Sequence, residues 1–371
     1  MIAKKGRAPL LRRKKNAFSS FFARFRRRLP FGTFYNGRMG NVKFEKLALD
    51  NKSKVLFAIA AGRDLTKLDV KSRASLSMTT VISAVEELKS EGLVTYAERK
   101  GERGGKPHAV LNVNPNRRAY GISFKTGVLT AVAADLKGDQ KETLSEQMAD
   151  GASPLQSVLS LALALSSRAP SPVAVALSFN CEERDLILQS LKDKLGAAAY
   201  SCTNTAAVAC LALWRGASFP VAAVGVGNGV KCAVTEENGC RMIDLGVLPS
   251  PLLFTQEGTI FSALSAARVE EVLRRSDYRG KYFRRGDQVV EIKDLAEYSR
   301  ALAKAVASLV ETVDVMLSPA ELVLFGDYLS EAFFARIRDQ IRRPAPMFFP
   351  AEKEDFALGT ALFALKQKVF S

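Results

Sequence analysis

The run Ser77-Met78-Thr79-Thr80-Val81-Ile82-Ser83-Ala84-Val85-Glu86-Glu87-Leu88-Lys89-Ser90-Glu91-Gly92-Leu93-Val94 admits few folds. Val81, Val85 and Leu88 recur at helical spacing and make one buried stripe. Ser77 stands where a side chain caps the first free amides of a helix, and Gly92 stands where a helix stops. Leu93, Val94, Thr95 and Tyr96 then read as a strand, and a second strand fits residues 108–113. Between the strands lies a glycine-rich basic tip, Arg99-Lys100-Gly101-Glu102-Arg103-Gly104-Gly105-Lys106-Pro107.

Two shorter helices precede this run. Val55, Leu56, Ile59 and Ala60 have helical spacing and are followed by Gly62. A second helix fits residues 66–73, with Leu68 and Val70 inward and Thr66 as N-cap. The turn Ala74-Ser75-Leu76 leads into the third helix. Three helices and a hairpin with a basic tip predict a winged helix-turn-helix at residues 41–118. Ser77, Met78, Thr79, Thr80 and Ser83 fall on the N-terminal or outer side of the third helix, the part such domains insert into the major groove. Small hydroxyls there bond phosphates or base edges. Arg99, Lys100, Arg103 and Lys106 would neutralise phosphates or enter the minor groove, an attraction that weakens with salt.

Charge points to the same partner, double-stranded DNA. The chain of 371 residues has a formal net charge of +16. Residues 1–40 hold twelve Lys or Arg and no acid, and residues 41–118 hold fifteen bases against nine acids. The remaining 253 residues carry a slight negative balance, so the basic excess lies wholly in the N-terminal third. The first 40 residues also interleave Phe18, Phe21, Phe22 and Phe25 with bases. Three readings fit this poorly ordered arm: support for DNA binding, a translated stretch upstream of a start near Met39, or a targeting or membrane-surface segment. A second basic run, Arg274, Arg275, Arg279, Lys281, Arg284 and Arg285, reads as a solvated surface loop, or as an extra DNA contact.

No apolar run approaches the ~20 residues of a membrane span, and no membrane partner is expected. Cys181, Cys202, Cys210, Cys232 and Cys240 are odd in number and scattered, which suits reduced thiols in a cytoplasmic protein. Past residue 118, buried strands fit 173–177, 221–226 and 322–325. Helices fit 185–195, 205–214, 295–317 and 330–342. Strands alternating with helices predict an α/β body over 119–371.

Several motifs together resemble the ROK family (repressor, open reading frame, kinase). In the head these are Leu76-Ser77, Thr80-Val81, Leu88, Gly92-Leu93-Val94, Gly105-Lys106-Pro107 and Leu111-Asn112, with Lys106 where the family has an arginine. The body is similar at lower strength. Tyr120-Gly121-Ile122 through Leu136-Lys137-Gly138 resembles the first two strands, and Ser201-Cys202-Thr203-Asn204-Thr205-Ala206-Ala207 stands at the family's Asn-Asp-Ala motif. Val224-Gly225-Val226-Gly227-Asn228-Gly229-Val230 resembles its second phosphate-facing turn. Leu317 through Asp327 resembles its Asn-Pro-Glu…Gly-Gly stretch, and Ala357-Leu358-Gly359-Thr360-Ala361 its closing Gly-Ala-Ala helix. The resemblance implies a two-lobed, ribonuclease-H-like or actin-like α/β body. Lobe one would hold about 119–217 and 355–371, and lobe two about 218–354.

The resemblance also shows what has changed. A sugar kinase of this family needs a carboxylate base, and the matching position holds Thr205, whose hydroxyl accepts a proton poorly. Ser123-Phe124-Lys125-Thr126-Gly127 replaces the glycine-paired ATP turn. Asp244-Leu245-Gly246-Val247-Leu248 replaces the Glu-x-Gly-His motif. The only histidine, His108, lies in the wing, and no cysteine cluster has zinc-ligand spacing. No cofactor, no metal and no catalytic residue is therefore expected. Gly227 belongs to a turn that suits either strand reversal or a phosphate, and Asn204 suits either a helix cap or an effector hydroxyl. The expectation is a sequence-specific DNA-binding regulator, a repressor, whose body dimerises and takes a carbohydrate or sugar-phosphate effector. The alternatives are a DNA-binding dimer without effector, and a carbohydrate kinase.

Overall fold

A computed structural model describes residues 41–60, 62–99, 108–149, 151–215, 217, 219–227, 229–236, 239–243, 245, 282–285, 288–292, 300–326, 331–341, 346–348 and 352–370. The head begins with α1 (Asn41–Ala60), α2 (Lys67–Ala74) and α3 (Met78–Ser90). Strands β1 (Val94–Arg99) and β2 (His108–Val113) follow and pair antiparallel. Both predicted caps form. Thr66 accepts from the Asp69 amide while the Asp69 carboxylate accepts from the Thr66 amide, a reciprocal box. Ser77 accepts from the Thr80 amide. Val81, Ala84, Val85 and Leu88 are the buried stripe of α3.

One inward assignment fails. Val70 is fully buried, but Leu68 is 64% exposed. Each residue turns an α-helix by about 100°, so positions two apart face roughly opposite ways and only one can meet the core.

The loop between α1 and α2 is held from a distance. Asp64 has φ 53°, a left-handed conformation unusual for a side-chain-bearing residue. Asn112 holds it there by donating to the Asp64 carboxylate (3.0 Å) and accepting from its amide (3.2 Å). Leu65 and Leu111 exchange backbone hydrogen bonds beside this clamp, so β2 braces the loop as well as β1.

The body follows as β3 (Arg118–Lys125), β4 (Val128–Asp135), β5 (Gln140–Gln147), α4 (Pro154–Arg168), β6 (Pro172–Leu177), α5 (Arg184–Leu195), β7 (Ala198–Ser201) and α6 (Asn204–Trp214). The chain continues through β8 (Val221–Gly227), β9 (Gly229–Glu236), β10 (Gly239–Ile243), β11 (Tyr282–Arg285), β12 (Gln288–Ile292), α7 (Arg300–Leu317), β13 (Glu321–Phe325), α8 (Glu331–Arg338), β14 (Met347–Phe348) and α9 (Lys353–Phe370). One sheet has the order β5-β4-β3-β6-β7 and another the order β10-β9-β8-β13-β14. In each, three antiparallel strands are followed by two parallel ones, so the same α/β plan occurs twice. Arg284 and Arg285, expected in a loop, stand on β11, which pairs with β12. Residues 274, 275, 279 and 281 of that basic run, and the arm at 1–40, lie outside the described residues.

The closing helix α9 returns to the first sheet and crosses α6 at close range. A Cβ at Gly121 would lie 2.0 Å from the Ala357 carbonyl oxygen, and one at Gly359 would lie 2.3 Å from that of Ala207. Only glycine permits these approaches of backbone to backbone.

The head is not hung on a free tether. Val55, Leu56 and Ile59 of α1 share one buried apolar cluster with Ala134, Leu136 and Cys210 of the body and with Ala361, Ala364 and Leu365 of α9. The Phe57 and Trp214 rings meet across this seam with centroids 5.9 Å apart. Exposing a buried Val, Leu or Ile here would cost about 1.5–3 kcal/mol each, which opposes separation. Arg117, in the connection to β3, donates to the carbonyls of Glu91 and Gly92 at the end of α3 (3.3 and 3.4 Å). Its cation suits the negative end of that helix.

Candidate functional site

The outward face of α3 is built by its caps and its buried stripe. With Val81, Ala84, Val85 and Leu88 turned in, Thr79, Ile82, Ser83 and Glu86 are exposed and Met78 is half-buried. Several of the expected contact residues already have partners. Ser77 serves the cap, and its hydroxyl also shares a 2.8 Å hydrogen bond with that of Thr80. Ser83 donates weakly to Glu87 (3.4 Å). Among the described residues, Met78 and Thr79 form no such side-chain bond.

A polar cluster flanks this face. The Tyr96 hydroxyl on β1 donates to the Glu86 carboxylate at 2.9 Å, and Lys67 at the start of α2 lies 3.5 Å from the same carboxylate. Lys67 and Lys89 also sit over the Tyr96 ring, 5.4 and 5.1 Å from its centroid. The hydrogen bond from Tyr96, aided by Lys67 and Lys89, holds the Glu86 carboxyl below its ordinary range. Tyr96, with Glu86, raises Lys67 in turn. The one acid in the middle of the outward face is therefore matched by two cations. This cluster went unnoticed in the sequence, because it joins three elements. Ile82 was missed for a simpler reason: it stands four residues after Met78, and a helical projection would have placed it on the outer face.

The hairpin base carries Arg99 and His108 as a facing pair, Arg99 being the last residue of β1. Lys100, Arg103 and Lys106 lie outside the described residues, as does the Arg99 side chain.

In the body, Thr203 rather than Asn204 caps α6, accepting from the Ala206 amide at 3.2 Å. Asn204 is the first helical residue, and its side-chain oxygen accepts from the Ser178 hydroxyl at 2.7 Å. Thr205 is 2% exposed. The β3–β4 hairpin turns through Thr126 and Gly127, both with positive φ (51° and 83°), as a two-residue type I′ turn requires. Lys125 at its edge lies 4.5 Å over the Phe356 ring. Gly227 ends β8 and faces Gly229 of β9 across a hairpin whose tip, Asn228, lies outside the described residues. Gly225 is explained by packing, since a Cβ there would lie 2.8 Å from the Phe325 ring. Of the Asp244 to Leu248 segment only Leu245 is described, and it is buried.

The fold also brings together cysteines that spacing keeps apart. The Cys210 and Cys240 sulfurs are 3.5 Å apart. Their mutual hydrogen bond, and then burial, raises the Cys210 thiol well above its ordinary range. Burial pushes Cys232 up to about 12. Thiols so protonated are poor nucleophiles. Among the described residues no group of three His, Cys, Asp or Glu side chains is arranged to hold a metal ion. No helix among them is long and apolar enough to cross a membrane.

No protein-family model and no curated protein sequence matches the chain. Solved structures do share its fold. A ROK family transcriptional regulator, a homologue of the E. coli MLC protein, superposes with a TM-score of 0.65 at 12% identity, over 88% of this chain and 97% of its own. A ROK family protein from Streptococcus pneumoniae, solved in complex with sucrose, reaches 0.50 at 11% identity, over 66% of this chain and 96% of its own. A ROK hexokinase from Thermus thermophilus reaches 0.49 at 17% identity, over 67% and 98%. At these identities what is shared is the fold: the chain is built as ROK proteins are built.

Proposed function

We propose that this chain is a ROK-family transcriptional regulator that binds double-stranded DNA sequence-specifically through a winged helix-turn-helix at 41–118. It represses as a cytoplasmic homodimer and does not catalyse phosphoryl transfer. The observation that carries this reading is the head itself. A Ser77-capped helix turns its uncommitted residues outward on the part of the chain that holds the whole basic excess. The reach of the fold likeness supports it. Residues 119–371 are about two thirds of the chain, so the 88% covered by the regulator structure extends into the head. Two heads on a dimer would meet half-sites spaced by whole turns of the duplex, about 34–36 Å each.

In the body, Thr205 is a buried hydroxyl where a kinase needs a base, and the glycine pair of the ATP turn is replaced. A carbohydrate or sugar-phosphate effector would enter near Asn204 and Gly227, and it would act only through different affinities for two arrangements of the dimer. A second reading, a dimerisation body without effector, is favoured by one observation: the Asn204 side-chain oxygen is already taken by Ser178.

Selection of bound duplexes from a random pool tests the main reading, using the full chain and a chain beginning at Met39. The expected result is a shared two-fold symmetric site that survives about 150 mM salt. Binding that collapses with salt and shows no common sequence would reduce the head to charge attraction. Transfer of phosphate from ATP to a sugar would overturn the non-catalytic body. Thermal-shift screening with sugars and sugar phosphates separates the two body readings, because a ligand of the folded form raises apparent stability.

A further inference from the structure

The outward face of α3 is unusual in what it lacks. From Met78 to Glu86 it carries no Arg, Lys, Asn or Gln, the side chains that make paired hydrogen bonds to guanine or adenine. Its hydroxyls and its acid are largely committed within the protein: Ser77 and Thr80 to the cap, Ser83 to Glu87, Glu86 to Tyr96 and Lys67. What projects from the N-terminal half is a small methyl-bearing ridge. Ile82 is 43% exposed, Thr79 is exposed one turn before it, and Met78 stands four residues before it on the same side. The flanking cations Lys67 and Lys89 offset Glu86, so the ridge can approach a polyanion.

On the major-groove edge of a base pair the apolar group is the 5-methyl of thymine. We infer that Ile82, flanked by Met78 and Thr79, reads thymine methyl groups, so that each half-site is selected by apolar contact rather than by a bidentate hydrogen bond. The occupant is duplex DNA because residues 41–118 carry fifteen bases against nine acids and the preceding 40 residues add twelve more bases. This inference rests on the DNA-reading function proposed above and names the determinant of its specificity.

The test replaces each thymine of the selected site, one at a time, by deoxyuridine. This keeps every hydrogen-bonding group and removes only the methyl. Binding is measured with the full chain and with Ile82→Ala and Ile82→Val, at an exposed position where neither change disturbs the core. At one or more thymines in each half-site the unsubstituted protein should lose about four-fold in affinity, the worth of one buried methyl. The loss should persist in part in Ile82→Val and vanish in Ile82→Ala. A site at which every replacement is neutral, or a penalty unchanged in Ile82→Ala, overturns the inference and leaves the DNA-reading function standing. Failure to select any site overturns both.

Discussion

In the head, Thr79 and Ile82 of α3 face outward; in the body, Thr205, Asn204 and Lys125 are buried or have partners within the chain. Ile82 and Thr79 are exposed on α3, whereas Thr205 on α6 is sealed, Asn204 is bonded to Ser178 and Lys125 lies over Phe356. Both regions are nonetheless well packed, and they share one apolar cluster. Packing alone therefore does not distinguish the two regions. In both regions most polar groups have partners inside the protein, and the difference lies in the apolar ridge at Ile82 and Thr79 that α3 leaves exposed.

The comparison would break if head and body were independent units. Gly359→Val is the strongest test, because its side chain would be driven into the Ala207 backbone at the α6–α9 crossing. We expect a loss of about 3 kcal/mol by urea titration, from overpacking against a backbone that cannot yield. The single tryptophan, Trp214, lies at the seam and reports it by fluorescence. Head and body should unfold in coincident transitions by fluorescence and circular dichroism. A head that melts at its original urea concentration while the body weakens would show that the seam is not a shared core. Phe57→Ala should cost less, about 2 kcal/mol for a half-buried ring, and should red-shift the Trp214 emission as water reaches it.

The parts of this arrangement that could be read in the sequence are local ones. Thr66 and Ser77 announced their helices, because a cap and an apolar stripe lie within one or two turns of each other. The body's strands and helices fall close to their expected spans; the helix expected at 330–342 stops at Arg338. What could not be read joins distant residues: Asn112 on Asp64, Arg117 on the end of α3, and Cys210 beside Cys240. Each depends on how strands and helices assemble, and spacing along the chain does not encode that. Leu68 failed differently, since helical geometry already forbade placing it with Val70. In the candidate site, the residue types were legible but their commitments were not. Thr80 and Ser83 looked available because their partners are revealed only by side-chain geometry.

A smaller change sharpens the contrast within the head. Ser77→Ala removes the acceptor for the Thr80 amide and should cost about 1 kcal/mol, the usual worth of a serine cap. Because the cap fixes the first turn of α3, which carries Met78 and Thr79, the loss of affinity for a selected duplex should exceed what the lower fraction of folded protein accounts for. Ser77→Asp should restore the cap, since aspartate caps as well as serine, yet leave DNA binding weak through repulsion by phosphate. Full recovery of binding with aspartate would remove Ser77 from the interface and leave it a structural residue.

The smallest expected effect concerns pH. Glu86 has its folded carboxyl below the ordinary 4.5, first through the Tyr96 hydrogen bond and then through Lys67 and Lys89. A carboxyl lowered on folding contributes stability that is fully present above its unfolded value and is lost as pH falls through the folded one. The head should therefore weaken slightly below about pH 4.5, and Tyr96→Phe should diminish that slope by removing its largest cause. The group lies at the surface, so the change should be small and should shrink further with added salt. Salt-resistant acid weakening that is unaltered in Tyr96→Phe would assign the titration to other carboxyls. Asp69 in the capping box, also lowered by its bonds to Thr66, would be the first to examine, through Thr66→Ala.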